Sequence, residues 1–356
     1  MDVLLSLPVV SYLFTTSLTS WSTSLNLLFF YMTWSTLILS HSPLKIEIVG
    51  TTVLRIALWL VPSLIFLAFD TLLPSLAENI KYNGASALPR RDARALAKLA
   101  GLAIFNLALE TGVEAALSLG VATLLKTPAF HTSTTLPLPW QMIKHLALLF
   151  AAREVLTYYI HRYLLHGHPT SRRRLSALHT RYAHAHRRPP SALLLKTDHP
   201  LPYLLHRFLP LYLPALALHS GNLHILTFLL FVALATLEET LSMSGYTVVP
   251  GIVLGGMARR TAVHYVSASS SFSSVAGKKK AGGGGNFGSW GVLDWMHGTS
   301  LGGDVMADLR DEAEKHRLQE RGASKVGEVG GAVRDGVEGL RKRKAGSRGR
   351  KARGGG

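Results

Sequence analysis

The sequence predicts an all-α integral membrane protein: about four transmembrane helices, a re-entrant helical hairpin, and a cytosolic, histidine-rich helical cap. Three observations predict it. First, 48% of the 356 residues are apolar, mean hydropathy is +0.23, and several apolar runs reach or approach the ~20 residues that span a bilayer. Second, the formal net charge is +17, with the basic residues between and after the apolar runs, as in cytoplasmic loops facing anionic lipid. That distribution speaks for a membrane surface and against nucleic acid as partner. Third, half of the 16 histidines lie between His161 and His206, directly after an apolar run.

The elements follow in order. Residues 1–137 form an amino-terminal transmembrane region. Its first 21 residues are apolar, and with no basic stretch before them a cleaved signal peptide is not expected. A first span covers 22–40, with Trp21 and Trp34 near its ends. A second covers 48–69, where Arg55 is expected to snorkel to the interface. Residues 80–98 are a basic loop, and 99–125 a third span. There Glu110 and Glu114 lie one turn apart, which suits a bundle interior better than catalysis. The fourth span runs from about Pro139 to Ile160. Residues 208–240 break at His219–Asn222, and each half is short for an independent span, so a re-entrant hairpin is expected. Residues 267–285 read as a flexible insert. Order resumes at Asn286, and 301–356 form a basic tail, largely disordered apart from one short helix near 304–320. The basic loops at 80–98 and 161–207 belong in the cytosol, with the amino terminus, in a membrane of endoplasmic reticulum type.

The chemistry sits in the region 138–300. There is no cysteine, so disulfides, thiolate metal sites and cysteine nucleophiles are excluded. Any metal must be held by nitrogen and oxygen, and a set of neutral imidazoles without thiolate suits iron, manganese or zinc. His161 and His166 are five apart, about 140° on a straight α-helix, so they share a site only between their faces or near the helix end. Gly167 and Pro169 place that end close by. His179 and His186 are two turns apart on one face, with His184 offset; His199 precedes Pro200 at a turn. His145, His219 and His224 lie within or at apolar segments, as packing or interface residues.

These motifs resemble the fatty acid hydroxylase and sterol desaturase superfamily of integral membrane di-iron oxygenases, in the versions found in filamentous fungi. The matching pieces are His161–Arg162 through His166, Leu178–His179 through His184, and Asp198–His199–Pro200. Glu238–Glu239–Thr240 with Ser244–Gly245–Tyr246 follows, then Asn286–Phe287–Gly288 with Asp294–Trp295 and Gly298–Thr299. The resemblance implies two irons held mainly by histidine, with His161, His166, His179, His184, His186, His199 and His264 as metal ligands. It implies dioxygen-dependent hydroxylation or desaturation of a sterol or fatty acyl lipid drawn from the bilayer. Electrons would come from a b-type cytochrome or a reductase. No Gly-x-Gly-x-x-Gly stretch is present to bind a nicotinamide cofactor directly.

Departures are specific. Ala185 separates His184 from His186 where the family has adjacent histidines; Met243 stands where it often has a histidine; and only His264 represents the third histidine box. Two irons held mainly by imidazole need about eight ligands, so Glu238, Glu239 or Asp294 are the carboxylates available to supplement the set. The competing reading is a non-catalytic membrane protein that keeps the family's fold with an incomplete metal site.

Overall fold

The computed structural model describes residues 21–89, 92–167, 173–184, 190–249, 251–270 and 285–303, with a few positions beyond. Readings that fall on 1–20, on most of the insert and on most of the tail lie outside the described residues. The chain divides into units Met1–Asp304 and Val305–Gly356, and everything below concerns the first.

The described residues are helical and contain no strand, only isolated bridges Lys81–Tyr246 and His131–His224. Helix α1 covers Trp21–Ser40, and α2 runs Pro43–Leu72. Pro43 starts α2 at the position where its missing N–H costs nothing. A π-turn at Ile56–Leu60 widens the helix one turn before Pro62. The short α3 (Pro74–Ile80) leads toward α4, Ala93–Leu125. Asp92 caps α4 by accepting from the N–H groups of Arg94 and Ala95, and Lys126 ends it in the left-handed conformation. Helix α5 (Pro139–Tyr159) continues into a π-turn, Ile160–Leu165. After α6 (Arg173–Tyr182) come α7 (Pro200–Tyr203), a π-turn at Leu204–Phe208, and α8 (Leu209–Ala217). Helices α9 (Ile225–Ser242), α10 (Ile252–Ser270) and α11 (Val292–Met296) complete the unit.

Among the described residues, three helices are long and apolar enough to cross a membrane: α2, α4 and α9. In the most apolar stretches of α2 and α4 only 17% and 22% of residues are buried. Leu64, Ile65, Ile104, Phe105 and Leu119 stand exposed on them. A water-soluble surface would not carry so much contiguous apolar area, whereas hydrocarbon accepts it.

The elements differ from expectation in four places. Helix α5 is long enough to span, but Lys144, His145, Arg153 and Glu154 make it less apolar than the other three. The hairpin expected at 208–240 is helical, turning at His219–Gly221 with Asn222 left-handed. Its second arm, α9, has 18 residues and is long enough to cross alone, half of it buried. Helix α10 continues to Ser270, so its last turn takes the first residues assigned to the flexible insert; residues 271–284 lie outside the described ones. Finally, Arg55 does not snorkel. It is 1% exposed and pairs inside the bundle with Glu110 and Glu114, at 3.1 and 2.5 Å. A guanidinium with two carboxylates within reach gains more there than by stretching to the headgroups.

Two apolar clusters hold the helices. One gathers Trp34, Leu149, Tyr212, Phe228 and Phe231 from α1, α5, α8 and α9. Phe130 stacks on Phe228 at 4.0 Å between centroids. The other joins Trp59, Ala103 and Leu107 of α2 and α4 to Leu193 and Leu195, Met243 and Tyr265. Through it the 3₁₀ turn Ala192–Lys196 rests on the spanning helices. The Trp59 indole N–H donates to the Ala192 carbonyl at 3.0 Å, so its polar edge is not left unpaired in the core.

Candidate metal centre

Six histidines converge: His161, His166, His179, His184, His206 and His264. Local backbone explains how. In a regular α-helix His161 and His166 would diverge, but Ile160–Leu165 is a π-turn. The His166 N–H closes on the His161 carbonyl at 2.9 Å, an i→i+5 bond. The wider turn brings both rings to one side, 4.8 Å apart between centroids. Gly167 then ends the element, since a Cβ there would lie 2.2 Å from the Tyr163 carbonyl oxygen. The second π-turn, Leu204–Phe208, carries His206 to within 4.3 Å of the His161 ring. Helix α6 brings His179, and His184 lies just beyond its end, 4.9 Å from His179. Helix α10 supplies His264, 4.7 Å from His161 and 5.0 Å from His184.

Three rings are held from outside. His161 donates from Nδ1 to the Phe287 carbonyl at 2.9 Å, and His264 from Nδ1 to the Gly285 carbonyl at 2.7 Å. His179 donates from Nδ1 to the Asp198 carboxylate at 2.6 Å. Because each partner is an acceptor, the proton sits on Nδ1 and the Nε2 lone pair faces the cluster. Such an arrangement orients imidazoles for metal binding. The Nε2 atoms of all six histidines are buried without a hydrogen-bond partner in the protein, as is His184 Nδ1. One such nitrogen in a core is costly, and six facing one another are stable only around a common partner. Four of them, His161, His166, His184 and His264, offer nitrogens within 4.8 Å of one another. The donor set fits a transition metal that accepts imidazole, iron included.

The electrostatics agree. Burial pushes His161, His166, His184 and His206 well below the usual imidazole range. Neighbouring rings add to the effect, and for His206 the Arg207 guanidinium adds more. Burial brings His264 down to about 4, against the upward pull of its bond to Gly285. These five rings are therefore neutral near pH 7, the form that ligates metal. The cavity among them is about 30 Å³, on the scale of a water molecule or an ion rather than of a lipid chain.

The supports come from three directions. Asn106 on α4 donates from Nδ2 to the carbonyls of Lys196 and Asp198, both at 2.8 Å, fixing the segment whose Asp198 orients His179. Lys196 reaches back to Glu110 and Tyr203, each at 2.6 Å. On the carboxyl-terminal side, Asp294 accepts from the N–H groups of Phe287 (2.9 Å) and Gly288 (2.7 Å) and from the Thr299 hydroxyl (2.7 Å). Glu154 accepts from Ser289 and Trp290 N–H, both at 3.0 Å. A Cβ on Gly288 would lie 2.6 Å from that Glu154 carboxylate. The segment Asn286–Thr299 thus presents the Phe287 carbonyl to His161.

Among the residues expected as ligands, His161, His166, His179, His184 and His264 come together. His186 lies outside the described residues. His199 stands apart, capping α7 by accepting from the Leu201 N–H at 3.3 Å, with its ring against Tyr182. The supplementary carboxylates are engaged elsewhere. Glu238 and Glu239 pair with Arg153 at 3.0 and 2.9 Å, and Glu239 also with Arg207. His206 was not among the expected ligands. No motif spacing points to it, and only the π-turn turns it inward. His219 and His224 form structural contacts, His219 donating to the Ala129 carbonyl at 3.0 Å and His224 capping α9.

Replacing Asp198 by Ala removes the acceptor that fixes the His179 tautomer. Metal affinity is expected to fall by about 10- to 100-fold, measured by competition with a chelator, while Asp198→Asn retains part of it.

Residues 146–299 match the model of the fatty acid hydroxylase family, in agreement with the resemblance read from the motifs. All six converging histidines lie within that stretch. No solved structure matches the chain.

Proposed function

We propose that the protein is a membrane-bound, iron-dependent oxygenase that hydroxylates or desaturates a lipid, sterol or fatty acyl, using dioxygen. The convergence of six imidazoles whose Nε2 atoms are buried and unpartnered, inside the family-matching stretch, supports the reading most directly. His161, His166, His179, His184, His206 and His264 would hold the iron. When bound there, iron supplies activation of dioxygen toward an unactivated C–H bond. The chain's own residues do the rest. Asp198, Phe287 and Gly285 hold three rings in one tautomer. Leu194, Leu195 and Tyr265 wall the site from water. Two irons would ask for further ligands beyond these six, so the competing reading of an incomplete site keeps a definite test.

Elemental analysis of detergent-purified protein separates the two. Iron at about two per chain supports the oxygenase, and its absence after reconstitution supports the non-catalytic reading. Product profiling of a null strain fed labelled lipids then names the reaction.

The proposal places the protein in the endoplasmic reticulum membrane, with the histidine centre and basic tail in the cytosol and a b-type cytochrome or reductase as electron donor. The basic loops at 80–98 and 161–207 support that orientation. A glycosylation acceptor inserted near residue 130 is expected to be modified, and one near 85 is not. The reverse pattern would overturn the orientation.

A further inference from the structure

A cavity of about 380 Å³ lies where α2 begins and α4 ends. Its volume falls in the roughly 300–1,000 Å³ range of small-molecule sites. Leu44, Leu119, Ala122 and Phe130 supply its apolar lining. Both helices are long and apolar enough to span, so the ends that frame the cavity stand near the level of the lipid headgroups. Leu119 is 53% exposed on α4 and carries the lining out to the surface that hydrocarbon covers.

Two charges line this cavity without a partner. Glu47 is 3% exposed. Its Oε1 accepts from the Ser118 hydroxyl at 2.5 Å and from the Tyr212 hydroxyl at 2.9 Å, and among the described residues its Oε2 accepts no hydrogen bond. Among the described residues, neither Glu47 nor Lys126 belongs to an ion pair. The buried cations nearby are already engaged, Arg55 by Glu110 and Glu114 and Lys196 by Glu110. Glu47 is thus the carboxylate left over, and a buried carboxylate is costly until a cation meets it. Lys126 does not fill that role. It lies eight residues beyond Ser118, roughly 12 Å along the helix axis, so it marks the mouth of the cavity and Glu47 its depth. Ser42 also lines the cavity, and its side chain makes no capping bond.

The complementary ligand carries an ammonium, a phosphate a short link away, and apolar chains. We propose that the cavity binds the headgroup of a phospholipid with a primary amine. Its ammonium meets Glu47 Oε2, its phosphate meets Lys126 and Ser42, and its chains leave over Leu119. A primary ammonium suits Glu47 because its N–H groups donate to a carboxylate in charge-assisted bonds. A purely anionic lipid would satisfy Lys126 and leave Glu47 uncompensated. The site shares no lining residue with the cavity among the histidines, so it stands or falls independently of the metal.

Delipidated, detergent-purified protein is titrated with phosphatidylethanolamine, with its N-acetylated form, and with free phosphoethanolamine as competitor. Bound lipid is counted by native mass spectrometry. N-acetylation removes the positive charge and is expected to weaken binding at least about tenfold. Free phosphoethanolamine, which lacks the chains, is expected not to displace the lipid at equal concentration. Glu47→Gln keeps an acceptor for Ser118 and Tyr212 but removes the charge, and is expected to bring the two lipids to equal affinity. Lys126→Asn, a residue that tolerates the left-handed conformation there, is expected to weaken both lipids by a similar factor. Equal binding of the two lipids by the unmodified protein overturns the proposal without recourse to any variant. Discrimination that persists in Glu47→Gln places the ammonium elsewhere and overturns it as well. Displacement by free phosphoethanolamine overturns the lipid in favour of a soluble zwitterion. Unchanged binding in Lys126→Asn overturns the placement of the phosphate.

Discussion

Replacing His264 by Ala is expected to abolish metal binding and the proposed oxygenase activity. His264 is the only histidine that α10 sends into the cluster, and the Gly285 carbonyl holds it with Nε2 inward. It faces His161, His166 and His184 at once, with centroids at 4.7, 5.1 and 5.0 Å. Its removal therefore takes away a shared position rather than a peripheral one. The remaining rings face a cavity in which their lone pairs have lost part of the partner that offset their burial, so protein levels fall as well. The comparison is made at equal protein level, by elemental analysis and product formation, with His179→Ala as a second ligand variant and His145→Ala and His219→Ala as controls. The controls keep their metal, because His219 bonds to Ala129 and His145 lies on α5 outside the cluster. Full metal content in His264→Ala would show that the carboxyl-terminal segment does not contribute to the centre, and the non-catalytic reading would gain.

What was legible in the sequence divides by the range of the interaction that decides it. Helix α1 and the long α2 and α4 follow from hydropathy and from Pro and Gly positions. The convergence of His161 and His166 does not follow from a five-residue spacing. It needs a π-turn, whose extra residue is stabilised by tertiary packing rather than by a local signal. His206 depends on a second π-turn in the same way. His199 lies apart from the cluster for another reason. A histidine before Pro200 suits a helix cap as well as a ligand, and its Nδ1 accepts from the Leu201 N–H. The paired spacing of Glu110 and Glu114 correctly indicated the bundle interior, but their partner is 59 residues from Glu114 in sequence. That distance is why Arg55, read alone in an apolar run, looked like an interface residue.

Arg55→Ala is the variant expected to cost the fold most. The guanidinium sits 1% exposed between two carboxylates on the neighbouring spanning helix. Glu110 keeps Lys196, at 2.6 Å, and the Tyr203 hydroxyl, but Glu114, fully buried, loses its guanidinium. Removing one partner of a buried ionic group costs about 3–5 kcal/mol, because the other charge stays in a low-dielectric interior. The loss travels toward the metal centre along a connected path. Glu110 holds Lys196, the Lys196 carbonyl accepts from Asn106, and the same Asn106 fixes Asp198 behind His179. The unfolding midpoint of purified Arg55→Ala in detergent should drop sharply, with metal content falling beside it. The charge-balanced pair Arg55→Met with Glu114→Gln leaves Glu110 matched by Lys196 and should recover most of the midpoint, since an apolar or neutral replacement of a buried ion pair is often tolerated. A midpoint for Arg55→Ala close to that of the unmodified protein would mean that Glu114 is solvated in the membrane-embedded protein and that the path through Glu110 and Lys196 does not bear on the histidines.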